Sequence, residues 1–334
     1  MAKKDSESLN EALKRLEKKH GPGTVMRLAK GAHVQKAETL TTGIYSIDKA
    51  LGGGFARGRV IELYGGEGSG KTTLALQVIV KAQERGEKAA YIDVEHAFDP
   101  TYAKSLGVNL EELYFSQPDS AEAALDIAKT LAATGEFVII VVDSVAALTP
   151  DTEFEGEVGK SQIGHLARFM SSALKQIISD FSKTKTTLVL INQLRSKIGV
   201  VYGNPETTPG GNALKYYASQ RIAIRRSSAI KDAAGELLGY IAMIKVEKNK
   251  IALPYQKAEV PFMHGIGFDA TADLFMFSDK MGIINKEKAT YFFNDEKLGV
   301  GQQKSMDAVR NDPELQERIK QALEKLLAND SPAV

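Results

Sequence analysis

Between about residues 40 and 192, short apolar runs of strand length alternate with stretches whose apolar residues recur at helical spacing. Residues 60–64, 89–93, 137–143 and 187–192 read as strands, and 72–85, 120–133 and 161–181 read as the intervening helices. The run Phe137-Val138-Ile139-Ile140-Val141-Val142 is almost wholly β-branched and has no polar face, so it predicts a strand covered on both sides. Such alternation argues for an α/β fold: a mostly parallel central sheet flanked by helices. Residues 221–225 and 240–246 follow as strands in direct succession, predicting an antiparallel extension.

The ends differ from this core. Ser8 and Glu11 have capping-box spacing, Leu9, Ala12, Leu13 and Leu16 share one helical face, and His20-Gly21-Pro22-Gly23 stops the pattern. A helix this short cannot hold itself in water. Its apolar stripe needs either its own domain or a neighbouring copy, and the pattern leaves both open. Beyond about Pro261 the elements shorten, and the chain finishes in a helix capped by Asp312, with Pro313 in its first turn and Leu315, Ile319, Ala322 and Leu326 on one face. The expected organisation is an N-terminal helix and linker (1–32), a core (33–262) and a small α+β C-terminal domain (263–334).

Composition narrows the class. The chain of 334 residues has no cysteine, which excludes disulfides, thiolate metal sites and cysteine nucleophiles. Its first ten residues are too polar for a signal peptide, and no apolar stretch approaches the ~18 residues of a membrane span. A cytoplasmic protein without a membrane partner is expected. Five histidines (His20, His33, His96, His165 and His264) show no metal-ligand spacing.

Candidate chemistry begins at Gly65-Gly66-Glu67-Gly68-Ser69-Gly70-Lys71-Thr72, which fits G-x-x-x-x-G-K-[ST] between a predicted strand and a predicted helix. Glycines let backbone N–H groups turn toward phosphates, Lys71 reaches the β- and γ-phosphates, and Thr72 holds Mg²⁺. Asp143, ending a strand two strands later, is placed for a metal-directed acid. Glu95 follows the second strand, and its carboxylate is expected at the sheet's carboxyl edge beside the phosphate-loop strand, orienting or deprotonating water. A solvated loop acid has the same pattern.

The net charge of +1 gives no global sign of a nucleic-acid partner. Charge is local instead: residues 190–226 hold six Lys and Arg against Glu206 alone, a net of +5. Within this window, 194–212 is rich in Gly, Pro, Thr and Asn and has no helix or strand period; 156–160 reads as a second loop. Two loops at one sheet edge, one bearing Ile198, Val200, Val201 and Tyr202, suit a phosphate backbone and its bases. A solvated charged loop is the alternative.

These residues together resemble the bacterial RecA recombinases over nearly the full length. The likeness is carried by residues 65–73, by Tyr91-Ile92-Asp93-Val94-Glu95-His96-Ala97-Phe98-Asp99-Pro100, and by Val141-Val142-Asp143-Ser144. Further on it is carried by Asn192-Gln193, Gly203-Asn204-Pro205-Glu206, Gly210-Gly211-Asn212-Ala213-Leu214-Lys215 and Lys248-Asn249-Lys250. The resemblance implies an ATP-dependent recombinase that forms a helical filament on single-stranded DNA, pairs it with homologous duplex, and has a LexA-type repressor as a further partner in the SOS response. By the same likeness, ATP and Mg²⁺ are held by Gly65, Gly66, Glu67, Gly68, Ser69, Gly70, Lys71, Thr72, Thr73, Asp143 and Ser144, with Asp99 and Tyr102 at adenine. Glu95 activates water, Gln193 senses the γ-phosphate, and Lys248 and Lys250 reach a neighbour's ATP. Gly156, Glu157, Ile163, Arg168, Ser171, Lys175, Arg195, Lys197, Ile198, Gly210, Gly211 and Asn212 line the primary strand, and Arg225, Arg226 and Lys245 the duplex site.

The chain also departs from the family pattern. Gly66 and Gly68 replace Pro and Ser and are expected to loosen the phosphate loop; Pro209, Tyr216, Met243 and His264 replace Thr, Phe, a basic residue and a Tyr that packs against the neighbour's nucleotide. The usual acidic tail does not follow Asp330-Ser331-Pro332-Ala333-Val334, so weaker self-inhibition of duplex binding is expected. A RadA-type or hexameric helicase motor is the rival; the missing cysteines disfavour the zinc module of RadA-type proteins.

Overall fold

The computed structural model describes residues 2–22, 24–25, 37–148, 165–196, 206–232 and 234–329. They fall into two compact units, Met1–Lys36 and Ala37–Val334. The first contains α1 (Ala2–His20). This helix begins before Ser8, so the Ser8 and Glu11 spacing lies inside it and does not mark its start. It closes as the Gly21 N–H donates to the Glu17 carbonyl at 2.8 Å. Leu9 and Leu16 of its apolar stripe are exposed.

The second unit opens with β1 (Thr39–Leu40), α2 (Tyr45–Leu51), β2 (Phe55–Ala56) and β3 (Val60–Gly65). Then come α3 (Lys71–Gln83), β4 (Lys88–Asp93), α4 (Pro100–Ser105), β5 (Leu113–Ser116), α5 (Ala121–Ala133) and β6 (Phe137–Asp143). After α6 (His165–Thr184) the chain runs through β7 (Thr187–Gln193), β8 (Arg195–Ser196), β9 (Glu206–Thr207) and α7 (Ala213–Tyr217). The long β10 (Gln220–Lys231) and β11 (Leu237–Asn249) precede β12 (Lys257–Met263), β13 (Gly267–Phe268) and α8 (Ala270–Lys280). The last elements are β14 (Ile284–Glu287), β15 (Thr290–Phe293), β16 (Glu296–Val300), α9 (Gln302–Asn311) and α10 (Pro313–Asn329).

Nine strands form the central sheet in the order β13-β12-β11-β10-β3-β7-β6-β4-β5. The pairs from β10 to β5 are parallel, and β10 to β13 are antiparallel. In β6 the period of two divides the side chains: Ile139 and Val141 join Leu74, Val78 and Ile79 of α3, while Ile140 and Val142 join Leu125 of α5 and Leu174 of α6. Each such buried aliphatic side chain stabilises the fold by roughly 1.5–3 kcal/mol. A strand with two buried faces needs apolar residues at every position, which is why β6 was legible.

The edge strand β5 has an apolar run of only Leu113-Tyr114-Phe115, too short to read as a buried strand, and its Tyr114 and Phe115 are exposed. The β10–β11 hairpin outruns the predicted strands because residues 225–229 are exposed and leave no apolar run to read. A three-stranded sheet, β14-β15-β16, packs with α8, α9 and α10 around Phe275, Tyr291, Phe293, Val309 and Ile319. Asp312 accepts the Leu315 N–H at 3.0 Å, as a cap should. The buried face of α10 uses Leu315, Ile319 and Leu323, however, so Leu326 stands at its margin. Among the described residues no helix is long and apolar enough to cross a membrane.

A candidate nucleotide site and nucleic-acid surface

The turn between β3 and α3 carries the glycine-rich motif. Lys71 Nζ donates to the Gly66 carbonyl at 2.8 Å, and burial pulls the Lys71 pKa down while Asp143, Glu95 and Glu67 oppose that fall. Thr72 Oγ1 donates to Asp143 Oδ2 at 2.7 Å, and Tyr91 donates its hydroxyl to the same oxygen at 2.7 Å. Burial pushes the Asp143 carboxyl up, which the Thr72 and Tyr91 bonds oppose. The Ser69 hydroxyl is buried with no hydrogen-bond partner. A buried orphan hydroxyl in a positively charged turn is what a phosphate oxygen satisfies. The residues present therefore fit a nucleotide, with Thr72 and Asp143 supplying oxygen ligands for Mg²⁺.

A cavity of about 320 Å³ opens over this turn, lined by residues 68–73, Tyr102, Arg226, Tyr240, Phe262, His264 and Gly265. Tyr102 shares a 2.8 Å hydroxyl contact with Thr73, and Tyr240 stacks on Phe262 with ring centroids 4.7 Å apart. Asp99 caps α4, accepting from the N–H groups of Thr101 and Tyr102 at 2.8 and 3.1 Å. His264 lines the cavity of its own chain. Arg226, Tyr240 and Phe262 were not expected there. They come from the antiparallel part of the sheet, more than 150 residues after the motif, and no local spacing announces them.

Glu95 reaches the site by another route than expected. β4 does not adjoin β3: β7 and β6 lie between them. The turn after β4 is held by buried Asp93, which accepts from the Phe98 N–H at 3.0 Å and Gln117 Nε2 at 2.9 Å. From there the Glu95 carboxylate accepts from the Ser144 hydroxyl and from Gln193 Nε2, the latter at 3.1 Å. Ends of β4, β6 and β7 thus converge on one carboxylate.

Gln193 also opens the loop at 194–212. Asn192 Nδ2 donates to Glu62 Oε1 at 3.0 Å and to the Pro209 carbonyl at 3.1 Å, tying both stems of the loop to β3. β8 and β9 pair as a two-residue ribbon, Arg195 opposite Thr207, so 194–212 is not wholly irregular; two residues are too few to show a period. Gly211 has φ +71, and a Cβ there would lie 2.6 Å from that of Ala167, so the chain passes close over the start of α6. On that helix Arg168, Ser171 and Lys175 are exposed, while Met170, Leu174, Ile177 and Phe181 are buried. Buried Gly210 and half-buried Gly211 therefore pass over the first turns of α6, whose exposed face carries Arg168, Ser171 and Lys175; Asn212 and Arg195 are exposed as well. Gly156, Glu157, Ile163, Lys197 and Ile198 lie outside the described residues.

The local charge is smaller than the count over 190–226 suggests, because Arg221 bonds at 2.5 Å to fully buried Glu62, which lies outside that window. Arg225 pairs with Glu206, which the count already includes, and Lys245 pairs with Glu247 at 2.7 Å. Register also separates the expected duplex-binding trio. Arg225 lies opposite Met243 and Ala223 opposite Lys245, so Arg225 and Lys245 share a face of the hairpin, and Arg226 takes the other.

Lys248 and Lys250 sit at the far end of the sheet. Gln220 is registered with both Asn249 and Ile61, four residues or about 13 Å along β3 from Gly65. Lys248 Nζ donates to the carbonyls of Lys215 and Tyr216 at 2.7 and 2.9 Å, and Tyr216 beside it is 73% exposed.

A model of the RecA N-terminal domain matches residues 7–269. The chain is 46% identical over 339 aligned positions to Protein RecA of Methylobacterium radiotolerans, covering 99% of this chain and 93% of that one. It is 48% identical over 313 positions to Protein RecA of Bacteroides thetaiotaomicron, covering 93% and 94%. A solved structure, the RadB recombinase, superposes with a TM-score of 0.51 at 25% identity, covering 69% of this chain and 98% of that one.

Proposed function

The chain belongs to the RecA family, and we propose that it is an ATP-dependent DNA recombinase that assembles as a helical filament on single-stranded DNA and exchanges strands with homologous duplex. Its catalytic act is DNA-dependent ATP hydrolysis; exchange itself makes and breaks no covalent bond. The observation that carries this reading is the contact between Glu95 and Gln193, which joins the candidate water-activating carboxylate to the stem of the candidate DNA loop.

In this reading residues 65–73 cradle the phosphates, with Lys71 leaving the Gly66 carbonyl to meet the β- and γ-phosphates. Thr72 and Asp143 would hold Mg²⁺, which when bound would supply charge neutralisation for the phosphates. Glu95 orients and deprotonates the attacking water, and Gln193 reads the γ-phosphate. Tyr102 and Asp99 flank the base. Lys248 and Lys250 cannot reach the nucleotide of their own chain from the far end of the sheet, which supports a role toward a neighbour's ATP. Arg168, Ser171, Lys175, Arg195, Gly210, Gly211 and Asn212 contact single-stranded DNA, and Arg225 and Lys245 contact duplex. A LexA-type repressor as a further partner and a cytoplasmic location complete the reading.

The test is ATP turnover with and without single-stranded DNA, with strand exchange run in parallel. Turnover stimulated by DNA together with exchange is expected. Turnover indifferent to DNA, with no exchange, overturns the proposal.

A further inference from the structure

Gly68 has no side chain and φ +60, and the space above it is taken by Arg226: a Cβ on Gly68 would lie 1.9 Å from Arg226 Nη2. Arg226 Nε donates to the Gly68 carbonyl at 2.8 Å, and the Tyr240 hydroxyl donates to the same carbonyl at 2.9 Å. The two donors support each other, since the Arg226 guanidinium lies 5.1 Å from the centre of the Tyr240 ring. Both side chains line the nucleotide cavity. The loop that glycine was expected to loosen is therefore held at Gly68 from outside, by the hairpin.

We propose that Arg226 and Tyr240 are positioning residues for the phosphate loop, a latch from the β10–β11 hairpin that presets it for a nucleoside triphosphate. A carbonyl has two lone pairs, and here each has a donor. In a trans peptide the C=O and the following N–H point in opposite directions. Pinning the Gly68 carbonyl toward the hairpin thus aims the Ser69 N–H into the turn, where its contact with the Gly66 carbonyl is long, 3.4 Å. That donor, with the orphan Ser69 hydroxyl, is left for a phosphate oxygen. The Arg226 charge adds attraction for the polyphosphate.

This rests on the phosphate loop being the ATP site but not on recombinase activity, so it is tested without DNA. The measurement is equilibrium binding of a fluorescent ATP analogue with Mg²⁺ to the full chain, followed by KM and kcat. Arg226→Ala is expected to weaken nucleotide binding about tenfold, the scale of one charge-assisted hydrogen bond, with the loss in KM and not in kcat. Tyr240→Phe loses less, and Arg226→Lys recovers part of the affinity. Gly68→Ala, which displaces Arg226 from the opposite side, should reproduce the Arg226→Ala loss. Lys231→Ala removes an exposed charge from the same hairpin and should leave binding unchanged. Parental affinity in Arg226→Ala, or an equal loss in Lys231→Ala, overturns the proposal. Failure of strand exchange with these shifts intact would count against the recombinase reading alone.

Discussion

Gln193 donates a 3.1 Å hydrogen bond to the carboxylate of Glu95 across a strand that belongs to neither. β6 lies between their strands, and Ser144, the residue that follows it, donates its hydroxyl to the same carboxylate. Whatever moves Gln193 therefore changes the surroundings of the group expected to activate water, and whatever happens at that group is felt at the root of the loop that starts at Leu194.

Glu95→Gln is expected to reduce DNA-dependent ATP turnover by about 10²–10⁴ while leaving ATP-dependent filaments intact, because the amide still fits between Ser144 and Gln193 but cannot take a proton. Turnover assays and electron microscopy of the same preparation check this. Loss of both activities would remove Glu95 from the role of general base.

Removing a cation from the exposed face of α6 should weaken single-strand binding and flatten its salt dependence. For Arg168→Ala and for Lys175→Ala, the slope of log K against log salt is expected to drop by about 0.7 for each phosphate no longer neutralised. Fluorescence anisotropy over a salt series measures it, and an unchanged slope in both variants takes that face out of the DNA site.

The distance of Lys250 from its own phosphate loop predicts complementation. Lys71→Ala and Lys250→Ala should each lack turnover when assayed separately. Mixed filaments should recover part of it wherever a Lys250 from one variant meets the intact loop of the other, a device worth roughly 10³–10⁵ in rate in other nucleotidases. Mixtures no more active than the separate variants would place Lys250 outside the neighbour's site.

Asp273 of α8 accepts from the N–H of Ser46 at 3.1 Å and from the Ser46 hydroxyl. It is almost fully buried, and burial raises its pKa from 3.8 to about 6 despite those bonds. The folded chain then holds a proton that the unfolded chain releases, so this group's contribution to stability is full below about pH 3.8 and is lost as pH rises to about 6. The span is about 3 kcal/mol at most. Denaturant midpoints of the parent should fall across that window relative to Asp273→Asn, and parallel curves for the two would refute it.

Much of this protein could be read from the chain itself. The phosphate loop, four of the parallel strands and the place of Asp143 at the end of β6 follow from residue spacing, because a glycine-rich turn, a buried strand and a helix start are each set by neighbours a few residues away. The resemblance to RecA proteins rested on the same local motifs. Tertiary structure decided what distance in sequence conceals. Strand order put two strands between Glu95 and the loop it serves and then closed the gap with Ser144 and Gln193. The pairing of the hairpin beside β3 brought Arg226 onto Gly68, 158 residues away in the chain. Buried Glu62, far along the chain, cancelled Arg221 in what looked like a basic patch. Periodicity reports the local backbone and which faces are buried. Which remote strand lies alongside, and which charges meet, depends on contacts across the whole sheet, and these leave no period in the sequence.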